Sequence, residues 1–332
     1  MTSATTSEKA VTQSELPDFI NLSSAPGDTA TEILAGLNAT PRYINPKFFY
    51  DSRGSALFER ITALPEYYPT RTERGILKAF AGQIARAVGT HRVVIEPGAG
   101  SCEKVRLLLD ALQPAAYVPT DIAGDFLQDA AEKLRSEFPW LPVTAIQADF
   151  TALAAMPQSL PPGPRCLFYP GSTLGNFERH DAEAFLRQVA TLLGEDGTLL
   201  IGIDLHKDTA TLEAAYNDAA GITAAFNLNI LNHLNRLLPA DFDPDQFRHV
   251  ACYNQTAQRI EMYLESLTAQ QVQCADRSLT LAAGERLLTE YSCKYSREGF
   301  ARLAASAGLA VRHCWQDPAG LFAVFCLAPD GT

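Results

Sequence analysis

The sequence contains no apolar run approaching the ~20 residues that a membrane-spanning helix needs, so no such span is expected. It contains no Cys-x-x-Cys pair. Its seven cysteines, at positions 102, 166, 252, 274, 293, 314 and 326, are odd in number and widely spaced. That argues against a disulfide framework or a cysteine zinc site, and reads as buried small hydrophobes in a reducing compartment. The six histidines, at 91, 180, 206, 233, 249 and 313, show no ligand spacing, so no metal is expected. Positive charge is scarce and scattered: 27 Lys and Arg stand against 38 Asp and Glu, a net charge of −11. A polyanion would be repelled, which excludes nucleic acid as an expected partner. The Ser/Thr-rich stretch from Met1 to Gln13 lacks the apolar core of a signal peptide. The expectation is a cytoplasmic protein without membrane contact.

What is present is ordinary globular composition: 332 residues, 47% hydrophobic and 20% charged, enough for one large α/β domain with a second unit. Residues 1–16 read as a disordered polar tail. Residues 29–68 follow a helical pattern, with Leu57, Phe58, Ile61 and Leu64 on one face and Pro65 ending the helix. After a helix at 73–87, short apolar strands are predicted at 92–96, 117–122, 143–150, 166–169 and 198–204. Helices such as 124–137 and 181–193 separate them, which predicts a parallel sheet wound on both faces. From 207 to 258 helix dominates, with Tyr216, Phe226, Leu231 and Leu238 among its apolar positions. Strand-like stretches follow at 259–268 and 271–280, then a helix at 296–307. A final hairpin is predicted from 310–315 and 321–326, joined by Asp317-Pro318-Ala319-Gly320.

The first strand ends in Glu96-Pro97-Gly98-Ala99-Gly100, a turn whose glycines let a ligand approach the backbone. A dinucleotide fingerprint would put a small residue at 103, where this chain has Glu103. Its carboxylate occupies the first helical turn, where a pyrophosphate would bind, and two anions compete poorly for one helix N-terminus. The cation S-adenosylmethionine carries no phosphate and meets no such conflict. Asp121 ends the second strand, where an acid accepts hydrogen bonds from ribose hydroxyls. Asp149-Phe150 ends the third, a carboxylate for the adenine amino group and a ring for its face. An acid at one strand end is usually a cap or a solvated loop charge. Acids at three successive strand ends, Glu96, Asp121 and Asp149, are more specific.

Several longer motifs then carry a resemblance. They are Phe49-Tyr50-Asp51, Leu64-Pro65-Glu66-Tyr67-Tyr68-Pro69-Thr70-Arg71, Gly171-Ser172-Thr173-Leu174-Gly175-Asn176 and Asp204-Leu205-His206-Lys207-Asp208-Thr209. Residues 219–227, Arg259-Ile260-Glu261-Met262 and Leu288-Thr289-Glu290-Tyr291-Ser292-Cys293-Lys294 complete the set. Together they resemble the histidine Nα-methyltransferases of ergothioneine biosynthesis, from about residue 36 to 328. The resemblance implies a class I methyltransferase (Rossmann-like) sheet with a C-terminal antiparallel hairpin, over residues 69–206 and 295–329. It implies a smaller α+β substrate-binding domain from residues 17–68 and 207–294. It implies three methylations of the α-amino group of L-histidine, giving hercynine, with S-adenosyl-L-homocysteine as the spent cofactor. Asn176 and Tyr216 would bind the substrate carboxylate; Glu290 and Ser292 would hold the imidazole, with Tyr67 near and Met262 lining the pocket. Tyr50 would be the catalytic residue facing the amine, near Phe58 and the Gly171 backbone. Glu96, Gly98, Gly100, Lys104, Asp121, Asp149 and Phe150 would surround the cofactor.

The chain departs from the family at Pro97, at His206, and at Tyr291, which stands between the imidazole-binding residues and puts the shape of that end in question. Methyl transfer from a sulfonium needs alignment and exclusion of water rather than a metal. It also needs a neutral amine; a tyrosine hydroxyl can bond that amine and relay its proton, although its ordinary pKa of ~10 makes it a weak base. Aromatic faces at Tyr50 and Phe58 suit a growing quaternary ammonium. Two other readings stay open on sequence alone: a methyltransferase for a different amine, and a nucleoside-binding module without catalysis.

Overall fold

The structure is a computed structural model, and it describes residues 17–22, 26–149 and 160–331. Its centre is explained by short apolar runs. Val93–Pro97 (β2), Ala116–Asp121 (β3), Arg165–Tyr169 (β5) and Thr198–Asp204 (β6) are buried along nearly their whole length. Such runs belong to strands covered on both faces. With Phe19–Asn21 (β1), Ala145–Gln147 (β4), Leu309–Gln316 (β12) and Phe322–Pro329 (β13) they form one sheet in the order β1-β4-β3-β2-β5-β6-β13-β12. β1 to β6 pair in parallel, whereas β13 pairs antiparallel with both β6 and β12.

Side chains alternate across this sheet, and the two cores follow from that period. Val93 and Ile95 join Arg179–Leu193 (α6) and Arg297–Ser306 (α9) in one cluster. Val94 faces the other way, onto Tyr68–Val88 (α3), Glu103–Leu112 (α4) and Gly124–Glu137 (α5). The doubly wound sheet with a C-terminal hairpin is the one the sequence predicts. The chain runs outward from β2 through β3 to β4, then returns to β5 on the opposite side of β2. That reversal opens a crevice at the carboxyl ends of β2 and β5, where open α/β sheets bind ligands.

A third core draws on two distant stretches, residues 33–68 and 212–287. It joins Pro26–Asn38 (α1), Ser52–Thr62 (α2), Thr209–Ala214 (α7) and Ile222–Leu237 (α8) to a three-stranded sheet. That sheet orders Arg286–Cys293 (β11), Arg259–Ser266 (β8) and Phe247–Asn254 (β7) antiparallel. Gln270–Cys274 (β9) and Arg277–Leu281 (β10) form a separate hairpin.

Several local expectations change. Residues 19–21 extend the large sheet beside β4 instead of joining the N-terminal helices. β7 lies where helix was expected; its partly exposed residues carry little period, and pairing with β8 decides its state. The strand expected at 271–280 is the β9–β10 hairpin, whose turn at Ala275 takes φ +56° without a glycine to announce it. The cysteines are free, as expected, yet they are not all buried: Cys314 is exposed, and Cys252 and Cys293 are partly so. No helix among the described residues is long and apolar enough to cross a membrane.

Candidate active site

The crevice at the strand ends opens into a cavity of about 320 Å³ that continues beneath the third core. On the sheet side, Gly98 and Gly100 take φ of +67° and +52°, and Cys102 follows at +56°. These left-handed turns bend the chain sharply into α4. A Cβ on Gly100 would meet nothing within 4 Å, so its backbone angle, not crowding, requires glycine there. Asp121, at the end of β3, receives the Gly100 N–H at 3.0 Å and the Ala123 N–H at 3.0 Å, which ties the second strand end to the glycine turn. Burial pushes its carboxyl pKa up, while those backbone donors oppose the shift.

Glu96 is almost wholly buried, and the Tyr117 hydroxyl donates to it at 2.6 Å. Burial raises its pKa to about 8, against the pull of Tyr117 and Lys104. Lys104 is paired at 2.6 Å with Glu73, and both Glu73 oxygens accept the Gly171 N–H at 2.9 Å. Lys47 joins Asp149 at 2.9 Å and Glu32 at 2.6 Å. The lysines nearest the acids are therefore already paired, an arrangement ill suited to phosphates. Glu96, Glu103 and Asp121 leave the wall acidic. An open glycine turn, an acid for ribose hydroxyls and an acidic wall fit a cationic adenosyl ligand.

Aromatic rings line the other half. Asn45 caps a short 3-10 turn at Pro46–Phe49, and Asp51 caps α2 by accepting the Gly54 N–H at 2.6 Å. Tyr50 is held in the link between these caps. Gly54 permits the tight entry, since a Cβ there would lie 1.7 Å from the Phe49 carbonyl oxygen. The Tyr50 and Phe58 rings stand edge to face at 5.9 Å, Phe58 and Tyr67 at 6.4 Å, and Tyr67 and Tyr216 at 6.2 Å. Burial, with the charge of Glu290, holds the Tyr50 hydroxyl well above its ordinary pKa. Tyr50 thus stays protonated, and a relay through its anion is disfavoured.

β11 supplies the polar end. Glu290 and Ser292 face the cavity, whereas Tyr291 turns to the opposite side beneath the Arg259 guanidinium, 3.5 Å from its ring centroid. Strand alternation thus turns Tyr291 away from the cavity. Burial raises the Glu290 pKa to about 7, with the Lys294 charge opposing. The Tyr216 hydroxyl donates to Ser292 Oγ at 2.7 Å, and Lys294 Nζ donates to the same oxygen at 2.7 Å. Asn176 closes a 3-10 turn, Thr173–Asn176, laid so tightly on β11 that a Cβ on Gly175 would come within 2.9 Å of the Cys293 carbonyl.

Of the residues singled out in the sequence, Tyr50, Phe58, Tyr67, Glu96, Gly98, Gly100, Lys104, Asp121, Asp149, Gly171, Asn176, Tyr216, Glu290 and Ser292 all line this cavity. Met262 does not: it is buried in the third core, on β8 beside β11, in register with Glu290. Asp149 sits two residues past the end of β4, and Phe150 lies outside the described residues. Sequence reasoning missed the buried ion cluster on Asp204, which itself lines the cavity. Asp204 receives Lys207 at 2.6 Å, Lys294 at 2.8 Å and the Tyr68 hydroxyl at 2.7 Å. Burial lowers the Lys207 pKa to about 8 although Asp204 opposes it. The one available signal was that Tyr68, Asp204, Lys207 and Lys294 each fall inside a motif. Among the described residues no cluster of His, Cys, Asp and Glu is arranged to hold a metal.

Residues 29–329 match the family described as histidine-specific methyltransferase, SAM-dependent. The chain is 43% identical over 314 residues to histidine N-alpha-methyltransferase of Mycolicibacterium smegmatis, covering 92% of this chain and 97% of that one. Its counterpart from Mycobacterium tuberculosis is 41% identical over 298 residues, covering 88% and 92%. Ergothioneine biosynthesis protein 1 of Neurospora crassa is 33% identical over 282 residues, 81% of this chain and 31% of that much longer one. With the match spanning both the sheet and the third core, the chain belongs to the histidine-specific, S-adenosylmethionine-dependent methyltransferase family.

Proposed function

We propose that this enzyme methylates the α-amino group of L-histidine three times to hercynine, the opening step of ergothioneine biosynthesis. The observation that carries this reading is one cavity in which the adenosyl-type acids and glycines meet an aromatic wall and the Glu290–Ser292 pair. Residues 26–68 and 207–294 act as the substrate domain, and the large sheet as the methyl-donor domain. Free cysteines suit a cytoplasmic location.

Bound S-adenosylmethionine would supply an electrophilic methyl group on sulfur. Asp121 would take the ribose hydroxyls, Asp149 the adenine amino group, and Glu96 the cationic amino-acid end. Glu290 would accept the imidazole N–H, a charge-assisted bond about twice as strong as a neutral one. Asn176 would hold the carboxylate through its amide, beside Tyr216, whose hydroxyl hydrogen is given to Ser292. That leaves the α-amine beside Tyr50 and the Gly171 backbone. The Tyr50 hydroxyl oxygen would accept an amine N–H and so orient the lone pair toward the methyl group. The proton left on the mono- and dimethylammonium after each transfer passes to water, so each round starts from the free amine. The Tyr50, Phe58 and Tyr67 faces would favour the quaternary ammonium as it forms.

The test is mass spectrometry of the enzyme incubated with S-adenosylmethionine and all twenty amino acids. Gain of three methyl groups on histidine alone is expected. Gain on another amino acid would move the proposal to a different amine, and no gain would remove it.

A further inference from the structure

Lys294 lies directly behind the imidazole end of the cavity, with a side chain fully hidden from solvent. Its ammonium has three hydrogens and no lone pair. They point to Asp204 Oδ2 at 2.8 Å, Ser292 Oγ at 2.7 Å and the Tyr216 hydroxyl at 3.3 Å. The two hydroxyl oxygens are 2.7 Å apart, so one donates to the other. A phenol is the more acidic hydroxyl, and Tyr216 is the donor. Ser292 Oγ therefore accepts from both Lys294 and Tyr216, which spends both lone pairs of a hydroxyl. What remains to Ser292 is its own hydrogen, on the side of the residue that lines the cavity.

We propose that Lys294 is a positioning residue that fixes Ser292 as a hydrogen-bond donor, so that the site selects a neutral imidazole in a single tautomer. This rests on the histidine reading above. Glu290, two residues back on the same strand face, takes the ring N–H, and Ser292 gives its hydrogen to the bare ring nitrogen. An imidazolium has two N–H donors and no bare nitrogen. It would find no free lone pair on Ser292 and would meet the Lys294 charge behind it. Asp204 holds the lysine in place and is itself held by Lys207 and Tyr68, so hydrogen polarity at the pocket is set by the ion cluster built on Asp204, which itself lines the cavity.

The first test is a double-mutant cycle with Lys294→Met and Ser292→Ala, with S-adenosylhomocysteine affinity as the check on folding. Lys294→Met is expected to raise the histidine KM about tenfold, the worth of a strong hydrogen bond, with kcat within about twofold. In the Ser292→Ala background the same substitution should change KM by less than about twofold, because coupled residues are not additive. Additive effects, or a fall in kcat with KM unchanged, would overturn the proposal. The second test needs no variant and decides the matter if Lys294→Met does not fold. It is the nitrogen-15 spectrum of ring-labelled histidine bound to the wild-type enzyme with S-adenosylhomocysteine. One protonated and one bare ring nitrogen are expected; two protonated nitrogens, or exchange between tautomers, would overturn it. Normal histidine turnover with that outcome sinks this inference alone, whereas failure to bind or methylate histidine sinks the substrate reading and this inference with it.

Discussion

Glu290 and Ser292 both face the cavity, while Tyr291 between them packs under Arg259, whose guanidinium also reaches Glu178 and Glu261. One strand thus presents two polar side chains to the cavity on one face and a cation–aromatic stack on the other. Tyr291→Phe should leave histidine KM and kcat within about twofold, as expected for a side chain that touches no ligand. Glu290→Ala should raise histidine KM by about 10- to 100-fold, the cost of a charged hydrogen bond, and spare S-adenosylhomocysteine affinity. Steady-state kinetics with calorimetry separate the two; an equal effect from both variants would show that the strand register is wrong.

The glycine-turn end of the cavity depends on Asp121 in two ways. It offers oxygens to the cavity and it pins the Gly100 N–H. Asp121→Ala should weaken S-adenosylhomocysteine binding by about 1–3 kcal/mol. Histidine affinity, measured separately in the binary complex, should change much less. Normal cofactor affinity in this variant would remove Asp121 from the site.

A pH effect follows from Glu290. Its pKa of about 7 lies above the ordinary carboxyl value of 4.5, so it becomes an ionised acceptor only as pH rises through about 7. The imidazole ring, with an ordinary pKa of ~6.5, loses its proton over the same range. Histidine KM should fall as pH rises from 6 to 8. Stability of the unliganded enzyme has the opposite sign. Between about 4.5 and 7 the folded carboxyl holds a proton that the unfolded one has lost, so this group's contribution declines as pH rises. Glu290→Gln should flatten both slopes, and unchanged slopes in that variant would assign them to other groups.

Glu96 makes a different test. With a pKa of about 8 it is largely protonated at neutral pH. A cationic ligand at this wall favours the ionised form, so S-adenosylmethionine should release a proton from it on binding, and tighten as pH rises through 8. Calorimetry in two buffers of unlike ionisation enthalpy reads the proton directly. Identical enthalpies would place the cation away from Glu96.

Gly202, in the middle of β6, leaves room for Glu73: a Cβ there would lie 1.9 Å from the Glu73 carboxylate. Gly202→Ala should push Glu73 off Lys104 and the Gly171 N–H. A loss of about 2 kcal/mol, or a Tm lower by about 3 °C for a chain of this length, is expected by analogy with overpacked cores. Methyl transfer should fall further than stability alone explains, because the Gly171 turn lines the cavity. A silent substitution would mean that Glu73 does not organise this loop.

The sequence by itself determined the alternation of strand and helix, the closing hairpin and the acids at successive strand ends. Those follow from hydrophobic period, from turn residues and from where an apolar run stops, all of which act over a few neighbouring positions. With the long motifs it also reached most of the residues that line the cavity. The tertiary structure alone decided that Tyr291 faces Arg259, that Met262 is core, that 19–21 extend the large sheet, and that β7 is a strand. It alone paired Lys294 with Asp204 and Ser292, and Glu73 with Lys104 and Gly171. Strand register and the pairing of buried charges are set by partners up to a hundred or more positions away. Burial makes an unpaired charge costly wherever its partner lies in the chain, and nothing in the local pattern of residues records which partner that will be.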